Sequence, residues 1–236
     1  MRFHRAKPRF LCGQPSRRHH AGMSDCLPPT VLKLAEGLCD DEIHIWALPY
    51  DRAAGRLPVR RLLAGYLDSV VDDVVLTDAP HGRPELGGTH GGRLRFNWSH
   101  SGDRALVAIA RSVQPGIDLE HRARRGARDV LALAQRFFAP QEVQALAALP
   151  AEERSSAFLQ LWTVKEAVLK AQGRGLAYGL HRVVVDLWES GPVLVRFDDE
   201  PTTPWHVQAL SLDPAWVAAV AWCGPSMHVR WCGEPH

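Results

Sequence analysis

The chain has 236 residues, 46% of them hydrophobic and 23% charged, with a formal net charge of +2. That length holds one large domain or two small ones packed together, and the composition is that of a soluble globular protein. The near-neutral balance gives no global field that would select nucleic acid or membrane, and no apolar run approaches the roughly 20 residues of a membrane helix.

Residues 1–40 read as a disordered basic tail. Arg2, Arg5, Lys7, Arg9, Arg17 and Arg18 precede any acidic residue, and no apolar segment marks a secretory signal. Met23 offers a second possible start. The five cysteines form no C-x-x-C pair, which argues against a disulfide framework or zinc ribbon and for reduced thiols in a cytoplasmic protein.

Folded structure is expected from Ile43. Ile43 to Leu48 is strand-like and ends at Pro49. Leu62, Leu63, Tyr66, Leu67 and Val70 recur at helical spacing, so Leu57 to Val71 is a predicted helix. Asp78 to Arg93, rich in Gly, Pro and His, reads as a loop. Leu94 to Trp98 and Ala105 to Ala110 are predicted strands around a turn at Ser101-Gly102-Asp103. Ile117 to Glu120 is another strand.

Helices are predicted at Arg128 to Phe138 and Gln141 to Leu149, and a long one from Glu152 to Gln172 that stops at Gly173 and Gly175. Short strands follow at Val183 to Leu187, Val193 to Phe197, His206 to Leu212, Val217 to Trp222 and His228 to Trp231. This order implies an α+β fold with mostly antiparallel sheets. Two halves are expected, 41–114 and 115–232, each with one long helix and joined near Pro115.

Four segments carry chemistry. In Gly116-Ile117-Asp118-Leu119-Glu120, alternation puts Asp118 and Glu120 on one strand face, with Cα atoms about 6–7 Å apart. Two carboxylates so placed suit one hard cation, although two solvated acids on an edge strand spell the same way. In the long helix, Trp162, Glu166 and Lys170 are spaced i, i+4, i+8 along one ridge, and Glu166 borders the apolar face. A surface ion pair is the plain alternative there.

Ser99 and His100 close a strand at a polar turn that could bind an anion. Arg83, in Gly82-Arg83-Pro84, could fork onto a phosphate. No Walker A loop, G-x-G-x-x-G fingerprint or G-x-S-x-G elbow occurs.

Each segment alone assigns nothing, but their order and joint spelling do. Together with Trp162-Thr163-Val164-Lys165-Glu166-Ala167-Val168-Leu169-Lys170-Ala171-Gln172-Gly173-Arg174-Gly175-Leu176, they resemble the 4'-phosphopantetheinyl transferases, in the longer Sfp-like branch, over about Ile43 to Trp222.

The resemblance implies a pseudo-dimer of two similar halves, each a sheet on a long helix, with coenzyme A and Mg²⁺ (or Mn²⁺) at their junction. It implies a monomer that transfers phosphopantetheine to a serine of an acyl or peptidyl carrier protein. Asp118, Glu120 and Glu166 would hold the metal, and Glu166 or Glu120 would be the base. Lys165 and Lys170 would meet the phosphates. Arg83, Ser99 and His100 would contact the nucleotide-side phosphates.

One departure concerns the stretch from Pro49 to Arg56, where the family carries a longer segment rich in basic residues. Arg52, Arg56, Arg60 and Arg61 are the cations left there, and Arg60 is taken as the coenzyme A contact. The alternatives are a metal-dependent nucleotide phosphodiesterase and a non-catalytic protein that holds coenzyme A or a carrier.

Overall fold

The computed structural model describes residues 37–124, 129–188, 191–198 and 204–233. The basic tail expected at 1–40 lies outside them up to residue 36. The fold is α+β. Strands β1 (Glu42–Pro49), β4 (Arg95–Ser101) and β5 (Arg104–Ala110) form one sheet, and β6 (Gly116–His121), β9 (Trp205–Leu210) and β10 (Trp216–Cys223) form another. A short hairpin pairs β2 (Leu76–Asp78) with β3 (Pro84–Leu86), and β3 falls inside the stretch from Asp78 to Arg93 expected as a loop. A second hairpin joins β7 (Val183–Trp188) to β8 (Gly191–Phe197). Helix α1 is Leu57–Leu67, α2 Val130–Phe137, α3 Pro140–Ala148 and α4 Ala151–Gln172.

The last strand departs from the expected division at Pro115. β11 (His228–Trp231) crosses back and pairs in parallel with β1, so the first sheet runs β11-β1-β5-β4. Helix α1 is also shorter than expected. Asp68 turns left-handed (φ 49°) and its N–H donates to Ala64 O, which closes the helix one residue after Leu67.

Strand alternation builds the layers. Ile43 and Ile45 of β1, Leu106, Ala108 and Ala110 of β5, Ile117 and Leu119 of β6, and Trp216, Ala218, Val220 and Trp222 of β10 are buried in one cluster. The two sheets therefore pack face to face. The opposite faces take the helices. Trp46, Val107 and Ile109 pack on Leu62, Leu63 and Leu67 of α1. Val217, Ala219 and Ala221 pack on Phe158, Val164, Ala167 and Val168 of α4. The layer order is helix, sheet, sheet, helix.

Two features bring the later motifs together. Among the described residues β6 is an edge strand, hydrogen-bonded in its sheet to β10 alone. Its other side is met by side chains of β4, itself the edge of the first sheet: Ile117 N–H donates to Asn97 Oδ1 (2.9 Å) and His121 N–H to Ser101 Oγ (3.2 Å). These amides would otherwise be buried donors without partners. Second, α4 lies directly on Gly116. A Cβ added there would stand 2.0 Å from Ala167 O and 2.4 Å from Ala171 N. Only a glycine allows helix and strand backbones this close.

Gly116→Ala therefore forces β6 and α4 apart, a backbone shift that costs about 1–3 kcal/mol or more. The expected result is a lowered Tm, read by calorimetry. An unchanged Tm would show that α4 tolerates the displacement.

Candidate active site

Where β4, β6 and the C-terminal half of α4 meet, a cavity of about 580 Å³ opens, lined by Arg56, His81, Arg83, Asn97, Trp98, Ser99, His100, Asp118, Glu120, Glu166 and Lys170 among others. Because β4 is an edge strand, residues from both of its faces reach this cavity: Ser99 from one and Trp98 and His100 from the other.

Asp118 is the centre. It is buried, 3% exposed, on the β6 face that Gly116 opens to α4. Its Oδ1 accepts from Ser99 Oγ (2.8 Å) and Lys170 Nζ (2.6 Å). Its Oδ2 is buried with no hydrogen-bond partner among the described residues. Lys170 Nζ also donates to Ser99 Oγ (3.0 Å) and Ile117 O (3.2 Å), and lies 3.9 Å from Glu166 Oε2.

Burial works against the charge on Lys170, but the carboxylates of Asp118, Glu166 and Glu120 outweigh it and hold its pKa above the ordinary lysine value. At neutral pH the site thus holds a fixed ammonium among three acids. Among the described residues, no three acid, histidine or cysteine side chains converge as they stand on one metal position. Even so, the donors suit a hard cation, since three carboxylates line one cavity and one has a buried oxygen to spare.

Arg83 does a different job at close range. It donates to Lys170 O (3.3 Å) and Ala171 O (3.2 Å), the last carbonyls of α4, and to Glu85 Oε1 (2.6 Å). A guanidinium there meets both the open acceptors and the negative end of the helix dipole. Gly173 ends α4 at φ 84°, and a side chain there would come 2.7 Å from Arg83 Nη1. The Gly82-Arg83-Pro84 loop and the Gly173-Arg174-Gly175 turn are thus two sides of one contact.

Two residues expected at the site are elsewhere. Lys165 is fully buried on the other side of α4 and does not line the cavity. Its Nζ donates to Glu142 Oε2 (2.6 Å), Leu180 O (3.2 Å) and Val183 O, over the Phe138 ring. Glu142 in turn accepts from Val185 N–H and Ala139 N–H. Burial drives the Lys165 pKa down to about 8, opposed by Glu142. Arg60 is spent on the turn after α1, donating to Val71 O (2.7 Å) and Val74 O (3.1 Å). Arg56, just before α1, reaches the cavity instead.

Sequence reasoning missed Asn97 as a backbone clamp, and His81 and Tyr50 beside the site. The strand does not end at Trp98 but continues to Ser101, so Asn97, Ser99 and Ser101 share one face. The polar-every-second-residue spelling was the available signal.

A model of the 4'-phosphopantetheinyl transferase superfamily matches residues 114–221, which hold Asp118, Glu120, Glu166 and Lys170. HetI, a 4'-phosphopantetheinyl transferase of Nostoc, is 34% identical over 221 residues, covering 79% of this chain and 90% of its own. Sfp of Bacillus subtilis is 29% identical over 174 residues, covering 72% and 73%. A solved holo-(acyl-carrier-protein) synthase from Bacillus anthracis, in complex with CoA, is 19% identical with a TM-score of 0.40, over 47% of this chain and 96% of that one.

The buried Lys165–Glu142 pair makes a sharp prediction. Lys165→Ala leaves the Glu142 carboxylate buried without its cation, which costs about 3–5 kcal/mol. Replacing both, as Lys165→Met with Glu142→Leu, recovers part of that loss. Urea unfolding of the two variants checks it. A Lys165→Ala protein of normal stability but poor affinity for coenzyme A would instead return Lys165 to the phosphates.

Proposed function

The chain belongs to the 4'-phosphopantetheinyl transferases, and on that premise we propose that it moves the 4'-phosphopantetheine group of coenzyme A onto a serine of an apo carrier protein, releasing adenosine 3',5'-bisphosphate. The observation that carries this is the single cavity shared by Asp118, Glu120, Glu166 and a protonated Lys170.

In the transfer, the serine Oγ attacks the phosphorus that bears pantetheine. The new O–P bond forms as the bridging P–O bond of the pyrophosphate breaks, and the leaving phosphate gains negative charge. Glu166, beside Lys170 and bordering the cavity, accepts the serine proton; Glu120, which also lines the cavity, is the alternative base. Lys170 stabilises the leaving phosphate. Its ammonium is held by Ser99 and Asp118, so little reorganisation is needed as charge builds.

Mg²⁺ (or Mn²⁺) fits the donor set: Asp118, Glu120 and Glu166 would hold it, and it would neutralise charge on the pyrophosphate oxygens. Ser99 and Asn97 act indirectly, by fixing Asp118 and the β6 backbone.

Acyl and peptidyl carriers of polyketide and nonribosomal peptide assembly are the proposed partners, with the enzyme acting as a cytoplasmic monomer. Cys39, Cys223 and Cys232 are not joined in a disulfide among the described residues, in keeping with this setting.

The test is incubation with coenzyme A, Mg²⁺ and several apo carrier domains, followed by intact-protein mass spectrometry. A phosphopantetheine adduct on the carrier serine is expected. Glu166→Gln should lower kcat by about 10²–10⁴-fold at saturating Mg²⁺. No adduct on any carrier, or nucleotide phosphate release without one, would overturn the assignment.

A further inference from the structure

Among the described residues, strand β6 has a strand partner on one side only, and on the other the side chains of β4 stand in for one. Ile117 N–H donates to Asn97 Oδ1 (2.9 Å) and His121 N–H to Ser101 Oγ (3.2 Å). The two acceptors are four residues apart on β4, and the two donors four residues apart on β6. Each interval is about 13 Å of extended chain, so the strands run side by side in one direction and the bonds fall at matching positions. Asp118 and Glu120 lie between the two clamped amides.

The clamp at the Glu120 end stands on a firm base. Ser101 is 4% exposed and pairs with Arg104 across the β4–β5 turn. Gly102, the next residue, turns at φ 62° against the Trp216 indole, where a Cβ would stand 3.4 Å from Cη2. Trp216 is buried, sits opposite His121 in the β6–β10 register, and meets the His121 ring edge-on with centroids 4.5 Å apart. His121 Nδ1 accepts from Ala123 N–H (3.2 Å), which fixes the chain just past the strand. Glu120 lines the cavity, whereas Ser101 and His121 stand outside its lining.

We infer that Ser101 is a positioning residue for the transfer: by taking the His121 N–H it holds the end of β6 and so keeps Glu120 at a fixed reach from Asp118 and Glu166. This rests on the transferase reading and adds to it a residue outside the cavity.

Three arguments support it. Asp118 has restraints of its own, from Ser99 (2.8 Å) and Lys170 (2.6 Å), so the Glu120 end is where a backbone restraint matters most. Asn97, Ser99 and Ser101 alternate on one face of β4, so a single strand face sets both clamps and the Asp118 contact. Without the Ser101 hydroxyl a part-buried amide loses its acceptor, and the strand end must shift or take up water. Carboxylates that converge on one cation tolerate little of that, because the groups that orient ligands are worth about 10–100-fold in metal affinity or activity.

Three variants test this. Ser101→Ala removes the acceptor, Ser101→Thr keeps it, and Ser101→Val copies the shape of threonine without it. Carrier modification is followed by mass spectrometry, Mn²⁺ binding by isothermal titration, and the His121 N–H by hydrogen exchange. In Ser101→Ala and Ser101→Val, kcat at saturating coenzyme A and Mg²⁺ should fall about 10–100-fold and Mn²⁺ should bind about tenfold more weakly. The KM for coenzyme A should stay near the wild-type value, Tm should fall by only about 2–4 °C, and the His121 N–H should exchange faster. Ser101→Thr should restore all of these.

Wild-type kcat and Mn²⁺ affinity in Ser101→Ala would overturn the inference and leave the transferase reading intact. A Ser101→Thr protein as impaired as Ser101→Val would do the same, since shape and not the hydroxyl would then be at fault. So would a joint collapse of Tm, KM and kcat in Ser101→Ala, which is loss of structure. A wild type that modifies no carrier fails the transferase reading itself, and the role given to Ser101 with it.

Discussion

Everything at the site depends on one close approach, that of helix α4 to strand β6 over Gly116. A backbone-to-backbone contact with no Cβ between lets Asp118, two residues along the same strand face, meet Lys170 of the helix at 2.6 Å. With a larger residue at 116 the helix would stand off, and the Asp118 carboxylate would be buried without its cation. The ion pair and the glycine are therefore one constraint. Ser99 completes it from β4, bonding to both partners and tying the first sheet to the second.

The energetics explain why so many weak contacts are arranged around this pair. A buried carboxylate is costly unless it is paired and hydrogen-bonded. Among the described residues, Asp118 has Lys170 and Ser99 on one oxygen and no partner on the other. Lys170 keeps its charge only because three acids surround it. Such a site is balanced but not saturated, which is what the proposed binding of a cation and of phosphate oxygens requires. Arg83 supports it from behind. By taking the terminal carbonyls of α4, it fixes the helix end and leaves Lys170 Nζ to the cavity.

The acidic pair, the Glu-Lys ridge and the long helix were legible because each follows from a simple period: two for strands, 3.6 for helices. Less legible was anything set by the opposite sheet. Asn97 reads as a turn residue until β6 is seen to lack a strand partner on that side, which no local pattern states. The short hairpin of β2 and β3 was hidden by its three-residue strands and by Pro84. The return of β11 to β1 was hidden by distance along the chain. Arg60 and Arg56 look alike in sequence, and the turn after α1 decides between them by taking Arg60 for its own carbonyls.

Lys165 shows where the helical period could have been pressed further. At about 100° per residue, Glu166 and Lys170 are separated by about 40° and share a ridge, whereas Lys165 and Lys170 are separated by about 140°. Two lysines so placed on a straight helix cannot both reach one cavity. If Lys170 faces β6 with Glu166, then Lys165 must face the other side of α4. That side is packed with Phe138, Leu180 and Val183. A lysine forced into such surroundings needs a buried acid, and Glu142, 23 positions earlier on α3, supplies it. The apparent phosphate ligand is thus a strut between α3, α4 and β7. Among the described residues it leaves the cavity with one lysine ammonium, that of Lys170, to answer three carboxylates.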